Sequence, residues 1–268
     1  MTVLSADPST TGRVFLPASR VGAGFFVSAY RRMLAWELAS LRIFLPVLGA
    51  VLLLQGVGLV LGFGLFFHHI PPVAGLYVTT GGPVLNLLSL GLIFRPQIVA
   101  QQRAEGSYDF DLSLPAPRTM SFLAWYTVSL IPAMPAVVLA LIVGVARYHL
   151  HLDVSALVVP ALLLTSLTGT LMGYAVAHGV PSPMTIRLLS IAFIFVCCGF
   201  SPILFPASHL PGWLVEVNRW LPFGSAATIV RSALVAGYAT GVGRAYVVVG
   251  SWAALSALVS TWAIGRRP

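Results

Sequence analysis

Six stretches of mostly apolar residues, uncharged but for Arg187 at the edge of the fifth, run along the chain, at about 43–67, 73–94, 121–146, 154–177, 186–205 and 245–265. A helix needs about 20 such residues to cross a bilayer core, so the pattern predicts six transmembrane helices. Short breaks separate them. His68-His69-Ile70-Pro71-Pro72 is a tight turn after the first, and Gly179-Val180-Pro181-Ser182-Pro183 divides the fourth from the fifth. Pro132 and Pro135 fall inside the third, where neighbouring helices can shelter the backbone groups that a proline frees.

Two stretches outside the spans carry their own pattern. Phe25 to Arg42 has helical periodicity: Phe26, Tyr30, Met33, Leu34, Leu38 and Leu41 share one face, while Ser28, Arg31, Arg32 and Arg42 share the other. This predicts an interfacial amphipathic helix over 23–42, after a flexible cytoplasmic N-terminus over 1–22 and before a six-helix domain over 43–268. Glu37 sits within the apolar face. It either snorkels out of a shallow interface or pairs with an arginine of a partner. The stretch 206–244 is apolar and aromatic but interrupted by Glu216, Asn218, Arg219, Pro222, Gly224 and Arg231. Its uncharged part, Trp220 to Val230, is too short to span. It reads as two short helices, re-entrant or lying on the outer leaflet, with Trp213 and Trp220 at the interface.

Composition agrees. Hydrophobic residues make up 58% of the 268 and charged residues 8%, with a mean hydropathy of +0.93. A soluble domain carries roughly 25% charged residues, so composition excludes a soluble enzyme, a disordered chain and a disulfide scaffold. All 15 basic residues are arginine. The phosphate-binding loop G-x-x-x-x-G-K-[ST] needs a lysine, so that loop is absent, and any ATP that drives this chain binds another polypeptide. The net charge of +8 comes from arginines spread over the loops, a topology signal and not a nucleic-acid surface. With the N-terminus inside, 11 arginines fall on inside segments and 4 (Arg147, Arg219, Arg231, Arg244) on outside ones. The positive-inside rule puts both termini in the cytoplasm. No secretory signal is visible, so the first span is expected to direct insertion.

Little catalytic chemistry presents itself. Cys197 and Cys198 are adjacent on a predicted helix, about 100° apart, and do not suit a disulfide. His68, His69, His149 and His151 flank spans without a carboxylate cluster and read as interfacial loop residues. No Asp, Glu or Arg occupies the middle of a span. That argues against an ion relay, an intramembrane enzyme or a charged-ring pore. Small residues recur every four positions at Thr165, Gly169, Gly173 and Ala177, at Ala253, Ala257 and Thr261, and at Gly58 and Gly62. Such stripes let helix backbones approach closely, within the chain or in a dimer. In the second span Asn86, with Thr79 and Thr80 toward the outer end, is either an interhelical hydrogen bonder or a pathway contact.

Two segments carry a family resemblance. Gln101-Gln102-Arg103-Ala104-Glu105-Gly106-Ser107-Tyr108, followed by Leu112 to Arg118, resembles the loop after the second helix of type-2 ATP-binding-cassette (ABC) exporter permeases, which runs Glu-Arg-x-x-Gly-Thr, Leu-Leu, x-x-Pro and a basic residue. Ser201-Pro202-Ile203-Leu204-Phe205-Pro206, Leu210-Pro211-Gly212-Trp213 and Leu221-Pro222 ahead of Arg231 resemble that family's outer region between helices five and six. Gln102, Ser107 and Leu221 depart from the common Glu or Asp, Thr and Asn.

The resemblance implies an all-α multi-pass protein of the bacterial plasma membrane, paired with a second permease and with ATPase subunits that hold the ATP and Mg. The segment 95–120 would then be the coupling region, with a short cytoplasmic helix from about Pro96 to Glu105 closed by Gly106. Arg103, Glu105, Tyr108, Asp109, Leu114 and Arg118 would meet the ATPase, their charges interleaved with apolar residues as a protein interface requires. Substrate would cross along the second and fifth helices, past Thr79, Asn86, Phe193, Phe195 and Phe200. The function so implied is export of an amphipathic or hydrophobic drug, antibiotic or lipid. A polysaccharide or teichoic-acid exporter is the alternative within the class, and a membrane scaffold or assembly factor the alternative outside it.

Overall fold

The structure is a computed structural model, described here for residues 23–66, 71–106, 118–235, 237 and 241–265. Among them every regular element is helical. α1 is Ala23–Leu41, and a two-residue turn at Arg42 and Ile43 leads to α2, Phe44–Phe66. α3 is Pro72–Glu105, α4 Arg118–Tyr148, α5 Val158–Gly179 and α6 Pro183–Phe200. Two short helices follow, α7 over Gly212–Asn218 and α8 over Pro222–Leu234, and then α9 over Val242–Gly265. Six helices (α2, α3, α4, α5, α6 and α9) are long and apolar enough to cross a membrane. The 1–22 segment lies outside the described residues, as do Tyr108, Asp109, Leu114, His68 and His69.

The second span is longer than its hydropathy predicts. α3 does not end at residue 94 to restart as a separate coupling helix: it runs unbroken to Glu105, through a π turn at Leu90–Phe94. Pro96 has no N–H for the carbonyl of Leu92 four residues back, and in most helices that vacancy breaks the rod. Here the Ser190 hydroxyl of α6 lies 3.5 Å from the Leu92 carbonyl, its shorter hydrogen bond, 3.0 Å, going to the Ile186 carbonyl of its own helix. The wider π turn absorbs the ring, so the helix continues. It stops at Gly106, whose φ of +77° is the left-handed region open to glycine; its N–H reaches the carbonyls of Arg103 and Gln102. α6 is the reverse case, ending at Phe200 and not at 205, because its last turn is a π turn that opens into extended backbone at Ser201. Ser182 starts it, accepting from the Thr185 N–H at 3.4 Å, with Pro183 in the first turn.

α3 is the axis of the bundle. Of its most apolar stretch 89% is buried, against 17% for α2 and for α6 and 22% for α9. It packs against α2, α4, α5, α6 and α8. The closest approach is to α5. A methyl group at Gly91 would collide with the backbone of Gly169 and Thr170, and one at Gly173 with the carbonyl of Gly91. The Thr165-Gly169-Gly173-Ala177 stripe therefore serves packing inside the chain, with Thr165 and Ala177 fully buried. The stripes on α2 and α9 differ: nothing lies within 4 Å of a methyl placed at Gly62, and α9 meets α5 through the Thr168 hydroxyl and the Val249 carbonyl, 3.5 Å apart.

The two short helices after α6 differ: α7 buries only Leu214 and Asn218 and stays largely at the surface, whereas α8 enters the bundle. α8 buries Phe223, Gly224, Ala226, Ala227, Ile229, Val230, Ala233 and Leu234 against α3, α5 and α9. Its 13 residues cover about 20 Å, short of a roughly 30 Å core, so it enters the bundle without crossing. Trp213 and Trp220 stay 66% and 72% exposed at that end, where Trp220 accepts from Trp252 Nε1 at 2.7 Å through its carbonyl. α1 packs on α4, with the Tyr30 hydroxyl donating to Thr127 Oγ1 at 2.9 Å; Arg31 and Arg32 are exposed and Glu37 is half-buried.

We expect Gly91→Ala to lower the stability of the solubilised protein by about 1–3 kcal/mol, the usual overpacking cost, since backbone and not a flexible side chain must yield. Gly62→Ala, which meets nothing, is the control. Equal melting temperatures for the two variants in detergent would refute the α3–α5 contact.

Candidate functional site

α2 and α6 stand on either side of α3 and leave a groove between them. Its floor is the α3 strip Leu85, Leu88, Ser89, Leu92, Ile93, Phe94, Gln97, Ile98 and Gln101. α2 supplies Leu45, Leu48, Val51 and Gln55; α6 supplies Arg187, Phe193, Ile194, Cys197 and Cys198. Halfway along, Gln55 Nε2 donates to Ser89 Oγ at 2.9 Å, a polar bridge in an otherwise apolar trough. At the arginine-rich end the groove widens into a cavity of about 400 Å³, walled by Leu41, Phe44, Leu48, Val51, Phe94, Ile98 and Trp125. Its polar lining is Gln97, Gln101, Ser129 and Arg187, and among the described residues no acidic side chain borders it.

Both ends of α3 are tied down by arginines. At the arginine-rich end Arg103 Nη1 donates to the carbonyls of Val180 and, at 3.3 Å, Pro181, which fastens α3 to the α5–α6 turn. One face of that end is aromatic: the Arg95 guanidinium lies 4.6 Å over the Trp125 ring and 5.8 Å over Tyr174, which stacks on His178 at 4.1 Å. At the other end the loop after α6 crosses α3 so closely that a methyl at Gly81 would strike the Ile203 carbonyl. Arg231 of α8 holds this crossing. It is 4% exposed, donates from Nε to Thr80 Oγ1 at 3.0 Å and from Nη2 to the Ile203 carbonyl at 2.8 Å, and lies 3.8 Å over the Tyr77 ring. Asn218 adds a second tie, donating to the Phe200 carbonyl at 2.7 Å.

The predicted residues divide. Thr79 and Asn86 are fully buried on other faces of α3: Thr79 fills the space left by Gly144 of α4, and Asn86 sits against Gly56 of α2 and Ala140 of α4. Neither lines the groove. Among the described residues the Asn86 amide has no hydrogen-bond partner. Phe193 lines the groove and meets Phe223 of α8 edge-on at 6.3 Å. Phe195 and Phe200 are 67% and 51% exposed, Phe195 on the outward face of α6 with Met184, Leu188 and Ile191. Glu105 is exposed at the tip of α3 and accepts from Gln101 Nε2 at 2.8 Å. Arg118 begins α4.

Sequence reasoning missed Gln55, Arg187 and Arg231 as site residues. Gln55 was visible as the one amide in the α2 run. Arg231 was counted as an outer topology charge because hydropathy does not distinguish a loop arginine from one buried on a short helix. Among the described residues no cluster of three or more His, Cys, Asp and Glu is placed to hold a metal.

Six apolar helices among the described residues, one of them central to the other five, define a multi-pass membrane protein. The chain belongs to the ABC-2 type transporter family, whose model matches residues 29–235, from α1 to the end of α8. It is thus a permease component of an ABC transporter, and its family works with ABC ATPases. No curated protein matches the chain.

Replacing Arg231 by Leu removes two hydrogen bonds from a charged donor and leaves the Ile203 carbonyl and Thr80 hydroxyl to find others. At about 1.5–3 kcal/mol for such a bond, hydrogen exchange of the 201–204 amides should rise at least tenfold while α2 and α4 stay protected. Unchanged exchange at 201–204 would show that Arg231 does not hold the crossing.

Proposed function

We propose that this chain is the transmembrane subunit of an ATP-driven exporter that moves an amphipathic or hydrophobic molecule out of the cytoplasm or the inner leaflet. The observation that carries the reading is the cavity at the arginine-rich end: apolar walls, amides and one cation on the rim, open between two spans. A molecule partly dissolved in the inner leaflet can enter such a site sideways without shedding a full hydration shell. The positive-inside rule makes that end cytoplasmic and supports placing both termini there.

The path continues up the α3 strip past the Gln55–Ser89 bridge and Phe193. A second permease copy, or a related chain, closes the open side, and the exposed α2 and α6 faces (Leu54, Met184, Leu188, Phe195) are the surfaces that would meet it. Thr79 and Asn86 support the path from behind, through helix packing. The motor acts at the tip of α3. The ATPase, with its ATP and Mg, would contact Glu105 and the segment that includes Tyr108, Asp109, Leu114 and Arg118. Because α3 is one rod from Pro72 to Glu105, a displacement of its tip reaches the Ile203 crossing without passing a hinge loop. Arg103 belongs to this machinery as the tie to the α5–α6 turn.

Two tests bear on this. Glu105→Arg combined with Tyr108→Ala should leave membrane abundance unchanged and reduce ATPase copurification about tenfold, the loss of roughly one charged contact; full copurification with intact transport sinks the coupling assignment. A tag at Ser208 should be labelled from outside the cell and a reporter after Pro268 should be active only in its cytoplasmic form. Protection of the Ser208 tag overturns the orientation.

A further inference from the structure

Arg187 is the one feature of the cavity with no structural duty. It is exposed at the start of α6, lines the cavity, and among the described residues it has no hydrogen bond, ion pair or ring contact. The other arginines of this region are engaged: Arg103 on backbone carbonyls, Arg95 on Trp125 and Tyr174. Arg95 matters here too, because its guanidinium lies against a ring that also walls the cavity. Two cations therefore stand near the cavity, and among the described residues no acidic side chain borders it. Glu105, a turn beyond Gln101, is held by the Gln101 amide.

We propose that the cavity selects an anionic amphiphile: a carboxylate, phosphate or sulfate head on Arg187, with Gln97 as a second donor, and an apolar body along Leu48, Val51 and Phe94. This rests on the groove being the transport path and names the class of molecule that uses it. Charge complementarity decides the sign. A cationic amphiphile would put like charges together in a site of reduced dielectric whose described lining offers no carboxylate to offset them. An anionic head gains a charge-assisted hydrogen bond that Arg187 is not already making. The size fits, since about 400 Å³ lies within the roughly 300–1,000 Å³ of small-molecule sites. The source is the leaflet beside α2 and α6, because the cavity opens between helices whose outward faces are apolar.

The test is equilibrium binding to the full chain in nanodiscs of zwitterionic lipid, without ATP. The probes are dodecyl phosphate, dodecyltrimethylammonium and dodecyl maltoside, each with a brominated chain. The readout is the part of the tryptophan quenching that Trp125→Phe abolishes, which confines it to the cavity wall. Dodecyl phosphate should bind about tenfold more tightly than the other two, the worth of one hydrogen bond to a charged group. Arg187→Gln should erase that advantage and leave dodecyl maltoside unchanged, and Gln97→Glu should weaken the phosphate probe further. Arg244→Gln, at the opposite end, should change nothing and so controls for the general positive charge of the chain. Equal affinity for all three probes, or an Arg187→Gln loss shared by the maltoside, overturns the anionic selection; ATPase copurification would still support the permease reading. No quenching of Trp125 by any probe, together with disulfide crosslinking of two copies through cysteines placed at Val51 and Ile98, would mean that a second copy fills the cavity, and the proposal fails.

Discussion

The contact between Gly91 and the Gly169–Gly173 stripe fixes how this bundle can be built. In lipid there is no hydrophobic gain from bringing two apolar helices together, so close backbone packing must supply the association. The approach of α3 to α5 admits no side chain on either side. It draws α3 into the centre, where α2, α4 and α8 gather round it, and the burial of α3 follows from that crossing and not from hydrophobicity: α2 and α4 have higher mean hydropathy than α3 and are far less buried. The π turn at Leu90–Phe94 lies at the same place. A wider turn at the point of closest approach lets the rod carry Gly91 against α5 and still continue past Pro96.

A central helix packed on most sides leaves one strip open, and that strip is set by which neighbours are missing. α2 and α6 flank α3 without closing over it, and the Gln55–Ser89 bridge is the polar point in the gap. Arginines at both ends of the rod reach backbone carbonyls of loops. Arg103 takes Val180 and Pro181; Arg231 takes Ile203 with Thr80 and Tyr77. These carbonyl partners couple α3 directly to the two loops that border the groove. A motion of the rod is thereby a motion of those loops.

The number and rough limits of the spans were legible because hydropathy and the proline-rich breaks report on them directly. Gly106 was legible as a helix end, since it follows a helical run that only glycine could close this way. The continuity of α3 was not, because Arg95 and Pro96 read as a break between a span and a separate short helix until the π turn at Leu90–Phe94 is seen to carry the rod past them. The site suffered from the same blindness to orientation. Asn86 and Thr79 are the polar residues that a one-dimensional reading finds in the second span, yet their faces point at Gly56 and Gly144. The face that matters is marked by Ser89, Gln97 and Gln101, whose polarity is unremarkable in sequence and whose position becomes visible only once the neighbours of α3 are known.

The absence of lysine gives the charges of this chain a common character. Arginine keeps its charge when buried and spreads it over a planar group that can lie on rings and reach carbonyls in fixed directions. Arg231 at 4% exposure, pressed on Tyr77 and bonded to a carbonyl and a hydroxyl, is a site where a compact ammonium would lose more hydration than it regained. Arg95 between Trp125 and Tyr174 is a second such site. Against this background Arg187 is the exception that carries meaning: the same group, at the mouth of an apolar cavity, with its directional donors uncommitted. A cation that fastens structure is recognised by the bonds it has made, and a cation that receives a ligand by the bonds it still offers.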